Sequence, residues 1–286
     1  MIATLRRRAV PYFLLGPGTI WLVVFFVIPL YYMAKLSLET GIVGTLRFNW
    51  EWANYSEALE LYDTQFVRSF IYAGVATLLC LLIAYPLAYV IAFKAGKWRN
   101  LMLFAVVAPF FTTYLIRTLA WETILSDESP VTKFLHTIGV APSGHILATG
   151  AAVVAGLTYN FLPFMVLPLY ASLERIDVRV LEASKDLYAS AAGTFWKVTL
   201  PLSAPGVVAG TLLTFIPAAG DYVNAEFLGG ANNRMIGNVI QSLYLTQSDY
   251  PSAAALSFVL MALIMVAVVV YIRFAGSEAL MGQEAV

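Results

Sequence analysis

Asp177-Val-Arg-Val-Leu-Glu182-Ala183-Ser184-Lys185-Asp186-Leu187, running on to Leu200-Pro201, is a charged stretch inside a strongly apolar chain. It separates two long apolar segments and is too short to be a domain. Asp177 carries the short side-chain oxygen that accepts from the free N–H groups of a first helical turn. After it Val178, Leu181, Ser184 or Lys185, Tyr188 and Ala191-Ala192 recur at helical spacing, with Arg179, Glu182 and Asp186 on a polar stripe. Gly193 is placed to end this helix. Pro201 suits the first turn of the next one, where its missing N–H does no harm. The pattern predicts one short amphipathic helix, a glycine break, the aromatic pair Phe195-Trp196, and a return to apolar sequence at Leu200-Pro201. Glu182 and Asp186 stand four apart, so their like charges repel mildly along an isolated helix. A helix lying on lipid prefers Lys and Arg on its polar face. This one mixes signs, which favours docking of a partner with a basic surface.

Working outward, the 286 residues are 60% hydrophobic and 12% charged, with a mean hydropathy of +0.78. A soluble domain carries about 25% charged residues, so the excess of apolar residues belongs in a membrane. Six stretches reach the roughly 20 residues that span a bilayer: about 12–36, 66–93, 100–123, 145–171, 201–227 and 252–274. The expected fold is all-α and integral to the membrane. It is a single transmembrane domain, 1–286, whose charged loop, 172–200, lies between spans four and five. Arg6-Arg7-Arg8 precede a first span too long for a signal peptide and without a small-residue cleavage site, so it reads as a retained anchor.

Basic residues set the orientation. Arg6, Arg7, Arg8, Lys94, Lys97, Arg99, Arg175, Arg179, Lys185, Lys197 and Arg273 fall on one side, eleven of the seventeen. That side is the cytoplasm, so both termini and the charged loop are cytoplasmic. Glu39, Glu51, Glu57, Glu60, Asp127 and Glu128 lie on the outer face, which is either merely solvated or attracts a cationic solute or a docking partner.

Ionisable groups within a span are expensive, at about 2.5–3.5 kcal/mol on insertion scales. Asp221 and Glu226 in span five are therefore candidate pathway residues. Asp221 follows Pro217 and Gly220, which can interrupt the helix and open backbone groups to a cavity. Two roles are open to it: lining a pathway with Tyr222, Tyr159 and Asn160, or capping the broken helix and pairing with a base. Trp121 reads as an interfacial anchor, Arg117 with Glu122 as an internal ion pair, and Phe110-Phe111-Tyr114 as packing. Gly206-x-x-x-Gly210 lets a helix approach closely and reads as packing, near a partner subunit. His136 and His145 read as loop residues without metal-ligand spacing, and the single Cys80 forms no intrachain disulfide. Gly96-Lys97 lacks the upstream glycine of a phosphate-binding loop. Net charge is zero, so nothing points to nucleic acid.

The charged stretch resembles the Glu-Ala-Ala loop of the integral-membrane permeases of ABC importers. Glu182-Ala183-Ser184 matches the opening with Ser for the second Ala, and Val198, Leu200 and Pro201 match the close. Tyr188 stands where the family has Gly. Tyr159-Asn160-Phe161-Leu162-Pro163-Phe164-Met165, Phe215-Ile216-Pro217-Ala218-Ala219-Gly220-Asp221 and Met235-Ile236-Gly237-Asn238 are similar to spermidine/putrescine permeases of the first of the two permease types. That resemblance implies a type I fold of six spans with a coupling helix. It assigns Glu182, Ala183, Ser184, Asp186, Tyr188, Leu200 and Pro201 to contact with an ATPase. It also implies a second homologous permease, since one subunit forms half of the pathway. An ATPase dimer would use ATP and Mg, and a solute-binding protein would dock outside on loops that include 40–65. The chain itself is expected to bind no cofactor or metal and to have no catalytic residue. Permeation of thiamine or an iron(III) complex within the family, or an ion-coupled secondary transporter outside it, are the alternatives.

Overall fold

The computed structural model describes residues 15–41, 44–139 and 144–276. Arg6-Arg7-Arg8 and the start of the first span lie outside them. The chain divides into two compact units, Met1–Leu61 with Ile240–Val259, and Tyr62–Val239 with Leu260–Val286.

In the first unit α1 spans Leu15–Leu36 and is followed by a two-stranded antiparallel hairpin, β1 (Glu39–Thr40) and β2 (Arg47–Phe48), and by α2 (Ala53–Leu61). The expected outer loop at 40–65 thus carries a hairpin and a helix, and among the described residues the fold is otherwise helical. Asn54 holds it by donating from Nδ2 to the carbonyls of Ser37 (2.9 Å) and Glu39 (3.0 Å). The hydroxyls of Ser37 and Tyr55 meet at 2.6 Å.

The second unit begins with α3 (Asp63–Phe93). A broken pair follows, α4 (Gly96–Phe111) and α5 (Tyr114–Leu125), bent by 94°. Next come α6 (Pro130–Thr137), α7 (Gly150–Glu174), α8 (Val178–Asp186), α9 (Ala191–Ala219) and α10 (Val223–Leu228). α11 (Ile236–Leu245) and α12 (Tyr250–Ala275) contribute to both units. Among the described residues, α1, α3, α7, α9 and α12 are long and apolar enough to cross a membrane, and the broken pair is a sixth candidate.

The predicted third span is therefore not one straight helix. Thr112 and Thr113 take extended dihedrals (ψ 141° and 146°) between its halves. Two β-branched residues behind Pro109 suit that conformation, and a hydropathy average does not register it. The predicted fifth span also differs. Its helix starts at Ala191 and stops at Ala219, with Gly220 as its C-cap.

Proline placement explains a further irregularity. Helix α1 carries a π turn at Val23–Val27 just ahead of Pro29, and α9 carries one at Phe195–Thr199 just ahead of Pro201. In each, the residue before the proline donates five residues back, Ile28 to Val23 and Leu200 to Phe195. A proline cannot donate, and its ring crowds the carbonyl four residues earlier. The wider turn relieves both problems. Pro201 is consequently inside a continuous helix, not at its first turn.

α3, α7 and α9 pack together through small residues. Ala73, Ala76, Cys80, Ala84 and Ala88 recur at three or four residues along α3 and are wholly buried. A Cβ on Gly206 would lie 2.7 Å from the Pro168 carbonyl, and one on Gly210 would lie 2.7 Å from the Met165 sulfur. The Gly206-x-x-x-Gly210 face thus packs closely, and its neighbour within the chain is α7. Close backbone approach is what holds helices together when lipid competes for apolar surface. Cys80 donates to the carbonyl of Thr158 at 3.3 Å. His136 lies on α6 and not in a loop, and His145 meets Asp127 at 2.8 Å.

Candidate functional site

Two regions of the second unit collect the polar residues singled out in the sequence. The first is the break between α9 and α10. Asp221 is 8% exposed. Its Oδ1 accepts from the backbone N–H of Asn224 at 2.8 Å, which caps α10. Its Oδ2 accepts from the Tyr114 hydroxyl at the start of α5. That hydroxyl in turn accepts from Asn224 Nδ2. Asn160 on α7 donates from Nδ2 to Asn224 Oδ1 (3.1 Å) and to Thr118 Oγ1 (3.4 Å). One network thus ties the start of α5, the middle of α7 and the break after α9. Two glycines make room for it. A Cβ on Gly156 would come within 2.6 Å of Asn224 Oδ1, and one on Gly237 within 2.8 Å of the Asp221 carbonyl.

Of the five pathway candidates, Asp221 and Asn160 meet in this network. Tyr222 and Glu226 are exposed beside it, and Asn238 holds both, donating to the Tyr222 carbonyl and to Glu226 Oε2 at 2.9 Å each. Tyr159 is not part of the network. It packs on Trp121, with ring centroids 5.5 Å apart, and lines an apolar cavity of about 350 Å³ with Leu87, Met102, Pro109 and Leu162. Trp121 is accordingly packed within the chain. Arg117 does not pair with Glu122. Its guanidinium lies over the rings of Phe110 (4.9 Å) and Tyr114 (5.6 Å), and its Nε and Nη1 meet no acceptor among the described residues. Tyr114 corrects the packing expectation, since its ring packs but its hydroxyl joins Asp221 to Asn224. Asn224 and Asn238 were the missed members. An amide within an apolar run is the signal that marks them.

The second region is α8. Asp177 caps it as expected, Oδ1 accepting from Arg179 N–H at 2.9 Å. Leu181 and Ser184 face inward; Glu182, Ala183, Lys185 and Asp186 face outward. The Ser184 hydroxyl meets the Thr194 hydroxyl at 2.6 Å, both buried, and so pins α8 to the first turn of α9. Phe195 stands edge-on to Tyr85 of α3 (5.4 Å), whose hydroxyl meets Ser203 Oγ at 2.7 Å. This carries the connection on into α3 and α9. Ala191-Ala192 do not continue α8, and Gly193 does not end it. Gly193 lies in the first turn of α9, its N–H donating to Ser190 Oγ at 3.1 Å. α8 ends earlier, in a Schellman arrangement. Tyr188 N–H donates to the Lys185 carbonyl (2.9 Å) and Ala189 N–H to that of Ser184 (3.1 Å). Tyr188 takes φ +59°, the left-handed conformation that glycine adopts freely. Its side chain is not on the buried face, being 99% exposed. Leu200 is half-buried and Pro201 exposed, both within α9.

Comparison with known proteins places these features. Residues 7–277 match the family described as binding-protein-dependent transport system inner membrane component. This chain belongs to that family. The spermidine/putrescine transport system permease protein PotB of Escherichia coli (strain K12) is 38% identical over 256 residues, 88% of this chain and 93% of that one. Its counterpart in Haemophilus influenzae is 38% identical, covering 88% and 90%. The inner membrane ABC transporter permease protein YdcU of Escherichia coli is 32% identical over 73% of this chain and 69% of its own. Among solved structures, a bacterial ABC transporter that imports the acidic polysaccharide alginate has the same fold, with a TM-score of 0.66 at 17% identity over 97% of both chains. Permeases thus supply the sequence relatives, and the alginate importer shares the fold. The family description agrees with the apolar helices in making this a multi-pass inner membrane protein.

Proposed function

We propose that this chain is the permease subunit of an ATP-driven importer of spermidine or putrescine, and that it forms half of the translocation pathway beside a homologous permease. One observation carries the reading: 38% identity, over 88% of the chain, to permeases named for those two solutes. The broken pair α4–α5 counts as the third of six spans, with both termini and α8 in the cytoplasm, as the basic residues suggest. α8 is the coupling helix. A partner ATPase dimer binds ATP and Mg and presses on the outward face that carries Glu182, Ala183 and Asp186, while a solute-binding protein delivers the solute outside. The chain itself is non-catalytic. Ser184 is assigned a role behind that face, because its hydroxyl is buried against Thr194. A push on α8 would pass along α9 to Gly220, where the helix stops.

A polyamine is a flexible chain of cationic amines, which carboxylates and aromatic faces recognise. Exposed Glu226 and Tyr222 offer one of each at the break after α9. Asp221 supports them from behind, its oxygens already engaged by Tyr114 and Asn224. The test is uptake into proteoliposomes holding both permeases and the ATPase, supplied with the binding protein and labelled spermidine or putrescine. ATP-dependent accumulation of either is the expected result. Accumulation of thiamine or an iron(III) complex instead would reassign the solute, and uptake by this chain alone without ATP would make it a secondary transporter.

A further inference from the structure

We infer that Tyr188 is an aromatic contact residue that inserts into the partner ATPase and strengthens its docking; this rests on the coupling reading of α8. The argument starts from a conflict between backbone and side chain. The C-terminal stop of α8 requires a left-handed residue, and Tyr188 supplies it at φ +59°. Glycine fills such a position without steric opposition, whereas a side chain with a Cβ is disfavoured there. Nothing among the described residues compensates, because the ring is 99% exposed and takes part in none of their ring contacts. A tyrosine kept where local physics prefers glycine, and presented wholly to the outside, has its use outside the chain.

Its surroundings indicate what it meets. Leu187 beside it is 82% exposed, so the tip of α8 offers two adjoining apolar side chains. Glu182 and Asp186 stand outward six and two residues before it, and neither is in an ion pair among the described residues. The complementary surface is an apolar pocket with basic groups along one side. That is a protein groove, and not an anionic lipid surface, which the two carboxylates would oppose. Tyrosine suits the task. It brings a large apolar face and a polar tip at the entropy of only two side-chain torsions.

Tyr188→Gly separates this idea from the bland one, because the two predict opposite signs. The variant relaxes the turn and removes the ring. The expected result, with the complete importer in nanodiscs, is about tenfold weaker binding of its ATPase subunit, as for a buried aromatic anchor. A matching rise in ATP hydrolysed per polyamine imported is expected, while the permease's own melting temperature holds or rises. Tyr188→Ala should weaken binding similarly, and Tyr188→Phe should keep most of it. ATPase binding by Tyr188→Gly as tight as or tighter than that of the parent would overturn the inference and make Tyr188 a tolerated substitute for glycine. Unchanged ATPase binding, with a melting temperature that anionic lipid raises in the parent but not in the variant, would overturn it in favour of a lipid contact. If the parent binds no ATPase, and Glu182→Lys changes nothing either, the coupling reading itself is wrong and this inference falls with it.

Discussion

The break after α9 and the helix α8 are both polar islands in an apolar chain, yet their polar groups face opposite ways. At the break, Asp221, Asn224, Asn160 and Tyr114 turn inward and engage one another. On α8, Glu182 and Asp186 turn outward and pair with nothing within the described residues. A buried polar group must find its hydrogen bonds inside the protein, whereas an exposed one is free to find them elsewhere. The first island therefore holds three helices at fixed positions, and the second is left open for the coupling role proposed above. The contrast also reorders the candidates for solute contact. The carboxylate most unusual in the sequence is the one that the fold occupies, and Glu226 beside it stays accessible.

Substitutions can break that contrast. Glu182→Lys should have the largest effect, lowering ATP-driven uptake to background while membrane insertion and the melting temperature stay at parental values. Normal uptake with normal assembly would remove α8 from coupling. Asp221→Ala should do the reverse and act first on stability. It strips a helix cap and leaves the Tyr114 hydroxyl without its acceptor, about 2–3 kcal/mol by analogy with hydrogen bonds to charged groups, measurable by reversible unfolding in mixed micelles. Uptake lost at full stability would instead put Asp221 in the pathway. Tyr114→Phe is milder, at about 1–2 kcal/mol, since Asp221 keeps its cap and only the two bonds through the hydroxyl, to Asp221 Oδ2 and from Asn224 Nδ2, are lost. Smallest is the link behind α8. Ser184→Ala and Thr194→Val should each reduce stability by about 1 kcal/mol and the double variant by less than their sum. Additive losses would mean that the two hydroxyls do not act as a pair.

Much of this was legible beforehand because composition and capping are local. Asp177 marked the start of α8, and Pro217 with Gly220 marked the end of α9. The end of α8 was hidden because the residue that closes it is a tyrosine, not a glycine, and only the dihedral reveals its role. The bend in the third span was hidden because Thr112-Thr113 interrupt the helix without interrupting the hydropathy. Gly206 and Gly210 announced close packing, but a pattern on one helix cannot name its neighbour, and the neighbour is α7. Tyr114 was concealed among aromatic residues, its hydroxyl mattering only because α5 begins opposite Asp221.

The π turn at Phe195–Thr199 sits between the face of α8 and the break at Asp221. Each residue of a regular helix advances the azimuth by about 100°, so the extra residue in that turn sets the angle at which one island is presented relative to the other. Removing one residue from Phe195–Thr199 would restore an α turn, drive the ring of Pro201 against a carbonyl, and swing α8 about the axis of α9 by roughly a quarter of a revolution. The helix works there as a keyed shaft, and its five-residue turn fixes the key angle.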